Sequence, residues 1–264
     1  MDDLDTARNK PGSAQQIIAD LNWLGLDFDD QIIYQSERTG LYQLAFEELQ
    51  SNGRLFPCRC SRKDIQESLS APDNRFKTVA YPGNCRPDAC PVDLDQQDAL
   101  AWRFLVADGE SVFTDMVYPA QRANLRKYPG DFVVKRKDGV FAYQLASVVD
   151  DVLLGVTDVV RGADLLDSTP RQLALFEAMN SPSPRFWHVP LMHDHGGEKL
   201  SKRDGADSLD RLRGEGTKAA SVVAMLGASL GLIAADQQIS CNELLQELTL
   251  NQLQQALKTA RASA

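Results

Sequence analysis

This chain has no membrane-length apolar run: nothing in it approaches the ~20 consecutive apolar residues of a spanning helix. Its first residues, Met1-Asp2-Asp3-Leu4-Asp5, are acidic and lack the basic and apolar regions of a secretory signal. These absences predict a cytoplasmic protein without membrane attachment. Positive charge is in deficit as well: 28 Lys and Arg stand against 37 Asp and Glu, a net charge of -9. That balance argues against a general nucleic-acid binder, whose footprint is a basic domain. Two local basic stretches remain, one from Arg122 to Lys137 and one from Lys199 to Arg213, and each reads most simply as a solvated face. Cysteine is sparse and odd in number, five in all, so a complete disulfide framework is not indicated. Neither an internal repeat nor a long linker is visible. With 264 residues, 43% hydrophobic and 25% charged, the composition is that of an ordinary globular protein of one large domain or two small ones.

Helical and strand patterns alternate, which predicts an α/β fold. Pro11-Gly12-Ser13 with Gln16 reads as a turn entering a capping box, and Ile17, Ile18, Leu21 and Leu24 follow at helical spacing to Gly25. A second helix is predicted over 36–49, with Leu41, Tyr42, Ala45, Phe46 and Leu49 on its apolar side and Asn52-Gly53 as its stop. Strands are predicted at 102–106, 131–135, 156–160 and 186–192. Lys137-Asp138-Gly139 reads as the turn of a hairpin returning through 140–143. Short helices are expected over 144–150 and 170–179. After residue 203 the pattern is helical to the end, with capping boxes at Ser240/Glu243 and Thr249/Gln252.

Residues 57–92 differ in character: proline-rich, aperiodic and poor in core residues, they hold four of the cysteines. Cys58, Cys60 and Cys85 offer three thiolates, which suits zinc in its preferred tetrahedral coordination. On the residues alone the fourth ligand is open between Tyr81, Cys90 and a distant histidine such as His193 or His195. Cys241 stands apart and reads as packing. A second chemical signal follows the apolar run 186–192. There a glycine-containing loop carries Lys199-Leu200-Ser201-Lys202-Arg203, a loop able to fold over an anion because glycine admits close backbone approach and the ammonium groups neutralise phosphate charge.

Taken in order, these segments resemble the catalytic domain of class I glutamyl-tRNA synthetases. The likeness rests on Asp2-Asp3-Leu4-Asp5 with Pro11-Gly12; Cys58-x-Cys60 with Tyr81-x-x-x-Cys85; Phe141 to Ala146 with Val149-Asp150-Asp151; Gly155-Val156-Thr157 and Val160 to Leu166; His188-Val189-Pro190-Leu191; and Lys199 to Arg203. The likeness is greatest to the short stand-alone branch that lacks an anticodon-binding domain. It implies a Rossmann-like nucleotide-binding core without its first strand and helix, a small zinc-binding insert and a short helical C-terminal part. The corresponding divisions are 1–56, 57–92, 93–203 and 204–264. The implied activity is ATP-dependent activation of L-glutamate and its transfer to the queuosine base in the anticodon of tRNA(Asp). Lys199, Leu200, Ser201, Lys202 and Arg203 would form the ATP loop, with Lys202 the catalytic charge on the phosphates and magnesium accompanying ATP. Asp2, Tyr143 and Arg161 would bind glutamate, the guanidinium pairing a carboxylate. Without the resemblance, Tyr143 reads as core and Arg161 as a surface ion pair. The resemblance also assigns one structural zinc to Cys58, Cys60, Tyr81 and Cys85, and a monomer is expected.

Two departures accompany this likeness. Asp2 stands where the family's segment carries an acidic residue, with a shorter reach than the glutamate usual there. The chain has no His-x-Gly-His or close variant, a signature that the family pattern places ahead of Asp2. The expectation is therefore that Met1 is an internal methionine of a longer reading frame and that these 264 residues by themselves activate glutamate poorly. A non-catalytic remnant, or a piece of a glutamyl-tRNA synthetase, is the alternative.

Overall fold

A computed structural model describes residues 1–6, 9–67, 80–88, 99–193, 209–234 and 236–263. The chain opens with α1 (Ser13–Trp23), a 3-10 turn (Gln35–Glu37) and α2 (Thr39–Ser51). Next come β1 (Leu55–Cys58), α3 (Arg62–Glu67), β2 (Ala101–Phe104), the short hairpin β3 (Ser111–Phe113) with β4 (Gln121–Ala123), and β5 (Phe132–Lys135). The chain continues through α4 (Tyr143–Leu153), β6 (Asp158–Gly162), a 3-10 turn (Ala163–Ser168), α5 (Thr169–Ala178) and β7 (Arg185–Val189). Four helices close it: α6 (Leu209–Gly214), α7 (Ala219–Ser229), α8 (Cys241–Glu247) and α9 (Leu250–Ser263).

Two sheets frame the core. β1, β2 and β5 form an antiparallel sheet in that order. β6 and β7 pair in parallel through α5, a β–α–β crossover of the kind that parallel strands require. α2 and α4 supply the apolar layer between these sheets. α2 presents Tyr42, Ala45, Phe46 and Leu49, and α4 presents Leu145, Ala146, Val148 and Val149. They meet Phe104, Phe132, Val134, Phe141, Leu175, Phe176 and Phe186 in one continuous cluster. Each Val, Leu or Phe side chain so buried contributes about 1.5–3 kcal/mol. Leu41, expected on the apolar side of α2, is instead 38% exposed, because the buried arc begins at Tyr42. A smaller core joins Leu24 to Val222, Val223, Ala224 and Ile239, which ties α1 to the C-terminal helices.

Two buried carboxylates lock these layers in place. Asp150 on α4 accepts from Gln35 Nε2 at 2.9 Å, Arg38 Nε at 2.8 Å and the Tyr42 hydroxyl at 2.9 Å, which fixes α4 against α2 and the preceding turn. Asp131 accepts from Arg86 Nε at 2.8 Å and Nη2 at 3.2 Å and from the Val106 amide at 2.9 Å, which ties the cysteine-bearing segment to the three-stranded sheet.

The expected α/β class holds, while several local expectations need correction. Gly12, in the left-handed region at φ 81°, occupies the N-cap of α1 and supplies no side-chain cap. Ser13 is already helical, and Gln16 bonds Asp20 instead, so the capping box does not form. The second helix begins later than expected, at Thr39, after a 3-10 turn. The returning arm of the 137–139 hairpin shrinks to a single bridge between Lys135 and Phe141, and the chain turns helical at Tyr143. Here the apolar residues 141–149 satisfy helical periodicity over a longer stretch than strand alternation. β6 lies two residues later than the expected strand, and β7 stops at Val189. Cys241 is half-buried among apolar neighbours, as expected.

The Ser240 box does form: the Glu243 amide donates to Ser240 Oγ at 3.3 Å and the Ser240 amide to Glu243 Oε2 at 2.8 Å. Ser240→Ala is expected to lower unfolding stability by about 1 kcal/mol in urea titration, and Ser13→Ala by only a few tenths. Equal losses at the two serines would contradict the caps described.

Candidate functional site

At the carboxyl end of the β6–β7 pair the parallel register sets Arg161 directly beside His188. Strand carboxyl ends are where open α/β sheets bind ligands. Gly162 follows Arg161; a Cβ there would lie 2.6 Å from Asp164 Oδ1 and 3.2 Å from Leu191 Cδ2, so a larger residue would require these side chains to shift. Arg161 Nε donates to His188 Nε2 at 3.0 Å, Nη2 donates to Thr169 Oγ1 at 2.8 Å and to the Leu165 carbonyl at 3.5 Å, and Nη1 donates to the Tyr143 hydroxyl at 3.5 Å. All four partners reach the guanidinium through atoms without a formal negative charge. Among the described residues no carboxylate lies within ion-pair distance of Arg161. Desolvation lowers the Arg161 pKa, and the more distant charges of Asp151 and Asp115 oppose that fall. A half-buried cation with neutral walls is poised to receive an anion.

Tyr143 begins α4, and Ser147 and Asp151 follow at four-residue steps along one side of the helix. The Asp151 carboxylate accepts no hydrogen bond among the described residues. Its pKa is pushed up to about 6, by desolvation first, with Asp150 and Asp2 adding to the rise and Arg161 opposing it. Asp2 keeps solvent contact but is crowded enough that desolvation raises its pKa too; the Met1 ammonium opposes this, and Asp150 and Asp3 add to it. Of the residues expected to bind the amino acid, Tyr143 and Arg161 are in direct contact. Asp2 makes no hydrogen bond or ion pair with either among the described residues; its charge adds to the rise at Asp151. Sequence reasoning assigned no role to Asp151, His188, Asp115 or Thr169. Asp151 and His188 do lie inside the segments that carry the family likeness, and that was the available signal.

The cysteines converge at the edge of the three-stranded sheet. The sulfurs of Cys58, Cys60 and Cys85 lie within 4.8 Å of one another, with Cys60 and Cys85 3.5 Å apart. The Tyr81 hydroxyl stands 3.6 Å from Cys58 Sγ and accepts the Cys85 amide at 2.8 Å. Tetrahedral zinc with bonds of about 2.3 Å sets its sulfurs about 3.8 Å apart, so this donor set fits the ion. Two features aim it. Gly130, at φ 81°, has no room for a Cβ because the Tyr81 carbonyl would lie 2.5 Å away. Arg103 lies over the Tyr81 ring at 3.8 Å and donates from Nε to Cys58 Sγ at 3.2 Å. With no ion counted, burial pushes the Cys60 thiol up to about 12. At Cys85 burial acts the same way, but hydrogen bonds from the Arg59 backbone and the neighbouring Cys and Tyr side chains outweigh it and lower the pKa. Lys199, Leu200, Ser201, Lys202 and Arg203 lie outside the described residues, as do Cys90 and His195. An apolar cleft of about 620 Å³ between β6–β7 and α7–α9 carries two charged side chains, Asp158 and Arg185, already paired at 2.7 Å. It offers no chemistry comparable to the Arg161 cluster.

A raised carboxyl pKa has a definite thermodynamic sign. Asp151 contributes stability fully below the unfolded carboxyl value of about 4, and that contribution is lost as pH rises through about 6. Asp151→Asn is therefore expected to gain on the wild type by about 1 kcal/mol between about pH 4 and pH 7.5, a figure discounted for solvent screening. Urea unfolding at the two pH values checks it, and a pH-independent difference would contradict it.

Residues 1–262 match the family of class I tRNA synthetases (E and Q), catalytic domain. The chain is 43% identical over 261 residues to a glutamyl-Q tRNA(Asp) synthetase of Symbiobacterium thermophilum, covering 93% of this chain and 79% of that protein. It is 47% identical over 214 residues to the protein of the same name from Burkholderia cenocepacia, covering 80% and 70% respectively. A glutamate-tRNA synthetase structure from Elizabethkingia anophelis superposes with a TM-score of 0.78 at 26% identity, over 95% of this chain but 58% of that one. A family match that runs nearly end to end places this chain among the class I tRNA synthetases (E and Q), within their catalytic domain.

Proposed function

We propose that the chain activates L-glutamate with ATP and transfers the glutamyl group to the queuosine base of tRNA(Asp). The observation that carries the reading is the Arg161 guanidinium, held against Tyr143 with no carboxylate of its own. One glutamate carboxylate pairs with Arg161 and accepts from Tyr143. Asp151 and Asp2 place negative charge where an α-ammonium is accommodated. A glutamate carboxylate oxygen then attacks the α-phosphorus of ATP and pyrophosphate leaves. The resemblance supports Lys199 to Arg203 as the loop over ATP, with Lys202 stabilising charge on the phosphates and magnesium accompanying the nucleotide. No protein nucleophile is needed, so the work of the site is positioning and electrostatics. Relatives named for glutamyl-Q tRNA(Asp) support the acceptor.

Cys58, Cys60, Cys85 and Tyr81 are the residues that hold a structural zinc in this reading. When bound, the ion cross-links β1 to the segment around residues 81–85, a stretch with few apolar side chains to hold it otherwise. No described helix is long and apolar enough to cross a membrane. A cytoplasmic monomer remains part of the proposal.

Labelled glutamate, ATP and queuosine-containing tRNA(Asp) provide the direct test: label recovered in the anticodon fragment after nuclease cleavage supports the reading. Label at the 3′ end would instead indicate an ordinary synthetase. Arg161→Ala is expected to weaken glutamate binding at least ~30-fold in calorimetric titration, a loss of about 2 kcal/mol or more for an unpaired carboxylate, with ATP binding little changed. An unaltered glutamate affinity would remove Arg161 from the site. Metal analysis is expected to find one zinc per chain, lost in the Cys58→Ser/Cys85→Ser double variant. Equal zinc in both proteins would place the metal elsewhere.

A further inference from the structure

Behind Arg161 lies a polar chain that the reading above leaves without a role. Asp115 and His188 have fully buried side chains, and Asp115 Oδ2 lies 2.6 Å from His188 Nδ1. The other carboxylate oxygen of Asp115 accepts from the Val117 and Tyr118 amides, both at 2.9 Å, so the carboxylate cannot turn. Its pKa is lowered because the His188 and backbone hydrogen bonds outweigh desolvation. The imidazole presents Nε2 to Arg161 Nε at 3.0 Å and to Thr169 Oγ1 at 3.2 Å. Arg161 Nε is only ever a donor. His188 Nε2 must then be the acceptor, which leaves the ring proton on Nδ1, pointing at Asp115. This assignment follows from donor chemistry and not from hydrogen positions.

We propose that Asp115 and His188 are positioning residues for Arg161: the buried carboxylate fixes the Nδ1–H tautomer, and the free Nε2 lone pair holds the guanidinium edge-on so that Nη1 faces the ligand carboxylate. The glutamate part of this claim rests on the function proposed above. Packing supports the same geometry. The His188 ring stacks on Phe186 at 6.2 Å, and the Arg161 guanidinium lies over that same phenyl ring at 5.1 Å. Thr169 closes the fourth side by accepting from Nη2. Nε is thereby spent on His188 and Nη2 on Thr169 and Leu165. Nη1, shared only with Tyr143 among the described residues, retains a hydrogen for the ligand. A guanidinium so constrained loses little rotamer freedom when it pairs a carboxylate.

Asp115→Asn is the decisive variant, because it keeps the shape and reverses the polarity. An amide that donates to Nδ1 moves the ring proton to Nε2, and two donors then face each other at Arg161. The ¹⁵N imidazole resonances of the 264-residue chain report the tautomer directly. Its three histidines are sorted by the signal lost in His188→Gln. The expected result is Nδ1–H for His188 in the wild type and Nε2–H in Asp115→Asn, with a shifted Arg161 Nε–H resonance. Glutamate affinity is expected to fall ~10- to 100-fold in Asp115→Asn, the usual scale for losing an orienting partner, with ATP affinity unchanged. His188→Gln, whose amide oxygen still accepts from Arg161, is expected to stay within ~3-fold of the wild type, whereas His188→Leu falls with Asp115→Asn. An Nε2–H tautomer in the wild type, or a flipped tautomer with unchanged glutamate affinity, would overturn the proposal. If the wild type binds no glutamate, the function proposed above fails separately. The positioning claim is then decided by whether the Arg161 Nε–H resonance moves in Asp115→Asn.

Discussion

A half-buried guanidinium without a counter-charge organises this structure. Removing a cation from water is costly unless hydrogen bonds and an opposite charge replace the solvent. Around Arg161 the protein provides only the hydrogen bonds, through His188, Thr169, Leu165 and Tyr143. The opposite charge is left to the ligand. The charges of Asp151 and Asp115 temper the penalty without forming an ion pair with Arg161. The cost is tolerated because the elements carrying these groups are fixed by independent means.

Those means are the two buried carboxylates and the apolar layer. Asp150 fixes α4, and with it the Tyr143–Asp151 side, against α2. Asp131 fixes the cysteine-bearing segment against the three-stranded sheet, so the possible metal site and the Arg161 cluster hang from one framework. Each carboxylate is bound by a guanidinium and by at least one uncharged donor, and removing Asp131 would strand the buried Arg86, removing Asp150 the half-buried Arg38. The parallel β6–β7 register then does the last step, since it sets Arg161 opposite His188 and no other residue.

Much of this was legible in the amino-acid sequence. The helices with a strong 3.6-residue pattern, α1, α2, α5 and α9, were read within a few residues, because periodicity and stop signals such as Gly53 are local. The cysteine cluster was legible from clustering, whereas the residues alone left a fourth donor open; the Tyr81 hydroxyl stands 3.6 Å from Cys58 Sγ, with the Tyr81 carbonyl packed against Gly130, a contact between residues far apart in the chain. The arm returning after Asp138-Gly139 is shorter than expected, because the helix expected from residue 144 already begins at Tyr143. Tertiary packing against α2 decided for the helix. Arg161 on its own reads as a surface ion pair. Only the crossover shows that its neighbours are neutral. The Asp115–His188 link spans 73 residues, and no spacing rule reaches that far.

The central claim is that a ligand carboxylate completes the Arg161 site. A crystal structure of this chain with L-glutamate bound tests it most directly. The account predicts a glutamate carboxylate about 2.7–3.2 Å from Arg161 Nη1 and from the Tyr143 hydroxyl, with the His188 and Thr169 contacts preserved. Glutamate bound elsewhere, or Arg161 turned away to pair a protein carboxylate, would contradict it.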